Sequence, residues 1–320
     1  MMLRRGVLLG AFVVPFSARG QSWPTRPIRL VVPFAPGAGI LDIMARLVGA
    51  HLSENLGQQI VVDNKPGAGG NVGAAIVAQA APDGYTLLVA GPAMVVSPYL
   101  YAKPGFDPLQ DFAAISMLND APLMLVVHPS LPTKSVAEFI AYAKANPGKL
   151  NYGSGGIGAT PFLAVELLKS MAGFDAVHVP YKGGAPALAD LVAGQLSFMI
   201  ENVPGTLPFV RDGKLRALAI TSTRRLPLVA ELPTMQEAGV PGYQLVGWNG
   251  LFAPRNTPKE ILARLNGALA KIMATPDVID QLAKLGAEPG GDSQAHFAAF
   301  VKDESTRWGK IIRDKGIKPE

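Results

Sequence analysis

Two glycine-rich turns hold the residues best placed to do chemistry in this 320-residue chain. The longer reads Gly153-Ser-Gly-Gly-Ile-Gly-Ala-Thr160, between a short strand pattern starting near Lys149 and a helical pattern running to Leu168. The other reads Pro36-Gly-Ala-Gly-Ile-Leu-Asp42, after the apolar run Ile28-Arg-Leu-Val-Val32 and before a second helical pattern. A strand, a glycine turn and a helix leave backbone N–H groups unpaired at the helix N-terminus. The helix dipole gives those groups positive character, so each turn is suited to hold an anion. Two such units far apart in one chain suggest two half-sites that face each other, with the remaining chain as their scaffold.

Other chemistries fit less well. Gly153-Ser-Gly155-Gly-Ile-Gly158 matches G-x-G-x-x-G, but a dinucleotide site also needs an acidic residue at the end of the next strand. Asp175 instead precedes the strand pattern Ala176–Val179, so no nicotinamide or flavin cofactor is expected. No Walker lysine pattern occurs, and His51, His128, His178 and His296 show no metal-ligand spacing. The absence of cysteine excludes disulfides, thiolate metal sites and a cysteine nucleophile. The sequence leaves a Ser-His-Asp arrangement open, but Ser154 lacks nucleophile-elbow surroundings and reads better as a hydroxyl donor to a ligand. No catalytic residue, metal or cofactor is assigned. Trp248 and Asn249 read either as core or as cleft lining, and Lys182, ahead of Gly183-Gly184, as a solvated lysine at a helix start.

The N-terminus reads as a secretion signal at residues 1–20. Met1-Met-Leu-Arg-Arg5 is a positive n-region, Gly6–Phe16 an apolar stretch, and Ala18-Arg-Gly20 a cleavage site before Gln21. Arg4-Arg5 also fits a twin-arginine signal; general secretion is the expected route. The apolar stretch is too short to span a bilayer. Removing Arg4, Arg5 and Arg19 leaves 26 basic against 24 acidic residues, a formal balance of +2 in place of +5. With basic residues scattered, no nucleic-acid partner is expected. At 49% hydrophobic and 17% charged residues the chain can bury a substantial core, and its length suits two domains.

The elements that must position the turns follow from periodicity. Ile28–Pro33, Ile60–Val62 and Thr86–Ala90 read as strands alternating with helices at about 41–56 and 74–80, a βαβαβ order that predicts a doubly wound α/β domain. Ile43, Met44, Leu47, Val48 and Leu52 form the expected buried face of the first helix. Residues 91–120 read as irregular. A second β/α series follows, with strands at Leu123–Val127, near 149–153, and at Ala176–Val179, Leu196–Ile200 and Leu215–Ile220. Ser135-Val-Ala-Glu138 has the form of a capping box. Leu245–Phe252 is extended again, and Thr257-Pro-Lys-Glu260 predicts a capped helix start. The last helical patterns are expected to return to the first domain, giving two crossovers near 121 and 246, hence a hinge and a cleft.

Several blocks together carry a resemblance: Pro27-Ile-Arg-Leu-Val-Val-Pro-Phe34, Val62-Asp-Asn-Lys-Pro-Gly-Ala-Gly-Gly-Asn71, Ala81-Pro-Asp-Gly-Tyr-Thr-Leu87, His178-Val-Pro-Tyr-Lys-Gly-Gly-Ala-Pro-Ala-Leu188, Gly213-Lys-Leu-Arg-Ala-Leu218 and Leu232-Pro-Thr-Met-Gln-Glu-Ala-Gly239. The chain resembles the Bug family, the substrate-binding proteins of bacterial tripartite tricarboxylate transporters. The resemblance implies a periplasmic, two-lobe α/β binding protein of type II form. Lobe 1 would comprise residues 21–121 plus 247–320 and lobe 2 residues 122–246. It also implies a small carboxylate ligand and delivery to a membrane permease. A monomer is expected. A sensory binding protein for the same ligands and a periplasmic α/β hydrolase are the alternatives.

Carried over by position, the resemblance implies ligand contacts from Pro36, Gly37, Ala38, Gly39, Ile40, Leu41 and Asp42 in the first turn. In the second it implies Ser154, Gly155, Gly156, Ile157, Gly158 and Ala159, with Phe162 in the following helix. Gly91, Glu201-Asn202 and Trp248 complete the expected lining. Three positions depart from the family pattern: Leu41 stands where a hydroxyl residue is usual, Ala159 where a serine is common and Phe162 where a histidine is common. These exchanges predict a carboxylate with an apolar body, aromatic or branched, because a second charged group would lack partners.

Overall fold

The computed structural model describes residues 23–37 and 39–317. The expected leader and Ala38 lie outside the described residues.

The chain opens as β1 (Ile28–Val32), α1 (Ile40–Leu56), β2 (Ile60–Asn64), α2 (Asn71–Ala78), β3 (Thr86–Ala90) and α3 (Pro92–Leu100). β1 pairs in parallel with both β2 and β3. It is apolar because both its faces are covered: Ile28, Leu30 and Val32 pack with Met44, Val48 and Leu52 of α1, while Val31 faces the core shared by α2 and α3. Ile43 is not on the buried face of α1 but 42% exposed. The buried stripe runs through Ile40, Met44, Val48 and Leu52, and Ile43 lies off its edge.

Residues 91–120 are not irregular. Gly91 caps α3, whose Pro92 sits in the first turn, where a missing N–H costs nothing. The 16-residue strand β4 (Phe112–Val127) then joins the two halves of the sheet. Phe112–Pro122 pairs antiparallel with β9 (Val246–Pro254), and Leu123–Val127 pairs antiparallel with the later strands of the second half.

That half comprises α4 (Val136–Ala145), β5 (Asn151–Ser154), α5 (Thr160–Ala172), β6 (Val177–Pro180), α6 (Gly184–Val192), β7 (Phe198–Asn202), α7 (Val203–Arg211) and β8 (Arg216–Ile220). Ser135 caps α4 by accepting from the Glu138 N–H. The Glu138 carboxylate returns to the N–H of Lys134, one residue earlier than a standard box. After β9 come α8 (Lys259–Met273), α9 (Pro276–Lys284), β10 (Glu288–Pro289) and α10 (Gln294–Lys315). Thr257 does not cap α8: its hydroxyl donates to the Pro254 carbonyl at 2.8 Å and closes the turn after β9. α8 packs on α1, and α10 on α3 and β4, so the C-terminal helices pack back on the first β/α series.

The sheet order is β2-β1-β3-β9-β4-β7-β5-β6, with β8 and β10 on β4. Where β4 leaves β9, Thr221 takes over: its hydroxyl accepts from Leu123 N–H at 2.8 Å and its N–H donates to the Leu123 carbonyl at 2.9 Å. One buried apolar cluster crosses this junction, from Val95 and Leu100 through Phe162 and Tyr243 to Phe139 and Phe198.

Candidate functional site

A cavity of about 80 Å³ opens between the two glycine turns. That is room for roughly half a dozen waters or a small organic acid. Five helices send their N-termini to its wall: Gly39, Ile40 and Leu41 begin α1, Gly91, Pro92 and Ala93 begin α3, and Ala159, Thr160 and Pro161 begin α5. Gly183 and Gly184 begin α6, and Asn202 stands before α7. None of the five carries a side-chain cap; α2, α8 and α9, outside the wall, have none either, while α4 and α10 are capped by Ser135 and Ser293. First-turn N–H groups, among them those of Ile40, Leu41, Ala93, Thr160 and Gly184, are thus left for an occupant. Phe34, Gly155, Gly247, Trp248, Asn249 and Glu201 complete the wall. Among the described residues no lysine or arginine lines it.

The first turn is held from below by Asp42, which accepts from Gly37 N–H at 3.0 Å, Arg46 Nε at 2.9 Å and Asn64 Nδ2 at 2.9 Å. Burial alone would raise this carboxyl, but the bonds from Arg46, Asn64 and Gly37 and the charge of Arg46 hold it below the usual range. The second turn is held by Ser154, whose fully buried hydroxyl accepts from Gly156 N–H at 3.2 Å and lies 2.7 Å from His178 Nε2. The imidazole stacks on Tyr152 and meets Phe162 at 4.8 Å between ring centroids. Burial first, and then the charge of Lys169, push His178 down to about 4, so it is neutral at pH 7. A hydrolytic Ser-His pair needs an exposed hydroxyl; this one is enclosed and engaged by the turn.

Of the residues singled out from sequence, Gly39, Ile40, Leu41, Gly91, Gly155, Ala159, Glu201, Asn202, Trp248 and Asn249 line the cavity. Pro36 and Gly37 lie outside it, and Asp42 and Ser154 stand behind the turns they brace. Gly156 instead lines an adjoining cavity of about 340 Å³, together with Tyr181 and Lys182. The Ile157 carbonyl accepts from Tyr101 Oη at 3.1 Å, Gly158 packs near Val96 and Leu100, and Phe162 is core. Trp248 is only 2% exposed and donates from Nε1 to Glu304, so it is at once core and cavity wall. Residues the sequence reasoning passed over include Phe34, Pro92, Ala93 and the Gly183-Gly184 pair. The glycines after Ala90 and after Tyr181 repeat the strand–glycine–helix grammar and were the available signal.

The matches to known proteins agree with this geometry. Residues 44–317 match the model of the tripartite tricarboxylate transporter family receptor. The chain belongs to this family. BugT of Bordetella pertussis is 36% identical to this receptor over 99% of both chains. Among solved structures, Rpa4515 of R. palustris with adipate superposes with a TM-score of 0.88 at 41% identity, covering 93% of the receptor and all of that chain. MatC of Rhodopseudomonas palustris, with bound malate, superposes with a TM-score of 0.85 at 36% identity, covering 91% and 100%. The receptor therefore has the two-lobe periplasmic binding protein fold, and its family is one of solute-binding receptors. Among the described residues no helix is long and apolar enough to cross a membrane, and no cluster of His, Asp and Glu is placed to hold a metal.

Proposed function

We propose that this receptor captures a small carboxylate with an apolar body in the periplasm and delivers it to a membrane permease of the tripartite tricarboxylate transporter type. The observation that carries this reading is the convergence of five helix N-termini without side-chain caps on one cavity whose other walls are largely apolar. The unpaired N–H groups and aligned dipoles favour an anion without a buried cation, and each charge-assisted hydrogen bond contributes roughly 1.5–3 kcal/mol. Phe34, Ile40, Leu41, Ala159 and Trp248 suit an aromatic or branched body. The relatives solved with adipate and malate support the carboxylate class.

The lobes divide in this reading where β4 and β9 part, with residues 21–121 and 247–320 on one side and 122–246 on the other. Gly39 and Asn202 face each other from the two sides: a Cβ on Gly39 would lie 3.4 Å from Asn202 Nδ2. Closure brings the two turns together over the ligand, and ligand binding stabilises that state only by its higher affinity for it.

The test is thermal unfolding of the mature protein, from Gln21, with a panel of aliphatic, aromatic and branched monocarboxylates, dicarboxylates, citrate and amino acids. A ligand at 100 times its Kd should stabilise by about 2.7 kcal/mol. Saturable stabilisation by an aromatic or branched acid sustains the reading. Micromolar citrate binding without binding of any apolar acid removes the apolar body from it, and silence across the panel overturns the carboxylate class.

A further inference from the structure

Glu201 is a carboxyl group in the wall of a cavity built for anions. It is 95% buried, at 5% residual exposure. On β7 it shares a face with Met199, the face that α6 and α7 cover. Its two oxygens are treated differently. Oε1 accepts from the Asn202 backbone N–H at 2.8 Å and from Asn202 Nδ2 at 2.6 Å. Oε2 is buried and has no hydrogen-bond partner among the described residues. It lies against Gly184, where a Cβ would sit only 2.7 Å away, so the glycine is what lets the carboxyl reach the start of α6.

An ionised Glu201 would leave one charged oxygen buried without a donor and would repel any anion entering the cavity. A neutral Glu201 resolves both problems, and the geometry says where its hydrogen sits. Oε1 is the carbonyl-type acceptor because both Asn202 donors point at it, so the hydrogen is on Oε2. Burial pushes this carboxyl up, against the opposing pull of the two Asn202 bonds. We propose that Glu201 is a recognition residue of this cavity, contributing a carboxylic-acid O–H from Oε2 to the carboxylate of the ligand. This rests on the carboxylate reading of the cavity and adds to it that one proton is held between the receptor and its ligand.

The surrounding charged and titratable groups are accounted for. Asp190 on α6 accepts from Tyr181 Oη, and Asp42 at the opposite turn is engaged by Arg46 and Asn64. His178 on β6 bonds Ser154. Asp120 on β4, Arg211 on α7, Arg216 on β8 and Lys182 before α6 make no hydrogen bond to either Glu201 oxygen. The donating form is the protonated one. Affinity is therefore full on the acidic side of the Glu201 titration and falls as pH rises through it, about tenfold per pH unit beyond.

The experiment measures Kd for benzoate and adipate by calorimetry from pH 6 to 10, with wild type, Glu201→Gln and Glu201→Leu, each checked for its thermal midpoint. Gln keeps an acceptor for Asn202 and an N–H donor at the Oε2 position. E201Q is expected to bind within about threefold of wild type at pH 6 and to hold its affinity where wild type weakens. E201L, lacking the donor, is expected to bind at least tenfold more weakly at every pH. Parallel pH profiles for wild type and E201Q overturn the proposal, as does an E201Q that binds tenfold more weakly than wild type at pH 6. E201L binding as tightly as wild type overturns it too. Absence of binding to all three proteins across the full acid panel, with folding intact, overturns the carboxylate reading itself and so is distinguishable from these.

Discussion

The first turn is fixed in place by an ionised carboxylate, Asp42, reached by Gly37, Arg46 and Asn64, whereas the second is fixed by Ser154 and the neutral imidazole of His178. Both turns follow a strand, bend at glycines and open a helix that points at the same cavity. The same local grammar is thus stabilised by opposite physics. A charge with three donors tolerates partial exposure, since Arg46 remains half in water. The imidazole is instead desolvated among Tyr152 and Phe162 and must stay uncharged. Two turns that border one cavity therefore differ in what disables them.

The largest expected difference is in response to acid. For His178 the folded state favours the neutral form, with its pKa lowered from 6.5 to about 4. Its contribution is complete above pH 6.5 and is lost as pH falls toward 4, on the order of 3 kcal/mol in all. Asp42, with its pKa lowered from 3.8, acts in the next window: its contribution is complete above about pH 4 and is lost below that. Denaturant unfolding of wild type and His178→Gln between pH 7.5 and 4 should show a steep loss for wild type and a shallower one for the variant. Equal slopes would remove His178 as the acid-sensitive brace.

The second expected effect is structural. Asp42→Ala leaves the Gly37 N–H and the Asn64 amide without their shared acceptor, a cost of about 2 kcal/mol; the exposed Arg46 partner adds little. The comparison predicts that this variant loses stability evenly from pH 8 to 5 and retains the His178-dependent loss below 6.5. A variant with no change at pH 7 would show that the first turn holds its shape through the glycines alone.

A third change strikes where the second turn touches the first lobe. Gly69 has φ +64, and a Cβ there would lie 2.5 Å from the Ile157 carbonyl and 2.6 Å from Tyr101 Oη. Gly69→Ala adds backbone strain to a clash and should cost about 1–2 kcal/mol, with a visible loss of ligand affinity. Calorimetry with the acid that binds best, alongside thermal unfolding, separates the two effects.

How much of this was legible depends on which force decides each feature. Apolar runs and helical spacing announced β1 and α1, and the Ser135–Glu138 pattern announced the start of α4, because local energetics decide them. The stretch from 91 to 120 was not legible, since its prolines suggested breaks that tertiary pairing overrides: Pro92 is harmless in a first turn, and β4 is specified by β9 lying beside it. At the site, the glycine spacing located both turns, but side-chain direction was harder. Counting by twos from the buried Tyr152 places Ser154 on the same strand face, toward His178 and away from the cavity. Asp42, three residues into α1 from Gly39, reaches back to Gly37 as first-turn acids do. Phe162 stands where the resemblance implied a ligand contact, yet it packs on His178; the ring there braces the second turn.

The smallest expected effect tests whether the lobes communicate through that brace. Tyr101 follows α3 in the first lobe and donates its hydroxyl to the Ile157 carbonyl of the second turn at 3.1 Å. Tyr101→Phe removes one neutral, partly buried hydrogen bond and leaves the ring in place, so stability should fall by only about 0.5–1.5 kcal/mol. Its consequence for binding distinguishes two views of the second turn. If Ser154 and His178 alone set its shape, Y101F binds carboxylates as wild type does. If the first lobe helps to hold the turn in the ligand-bound arrangement, affinity drops two- to fivefold while the pH dependence from His178 is unchanged. The second result is expected, because Ile157 and Gly158 lie between the His178 brace and the α5 N-terminus that faces the cavity. A loosened Ile157 carbonyl would let that N-terminus move without disturbing the imidazole.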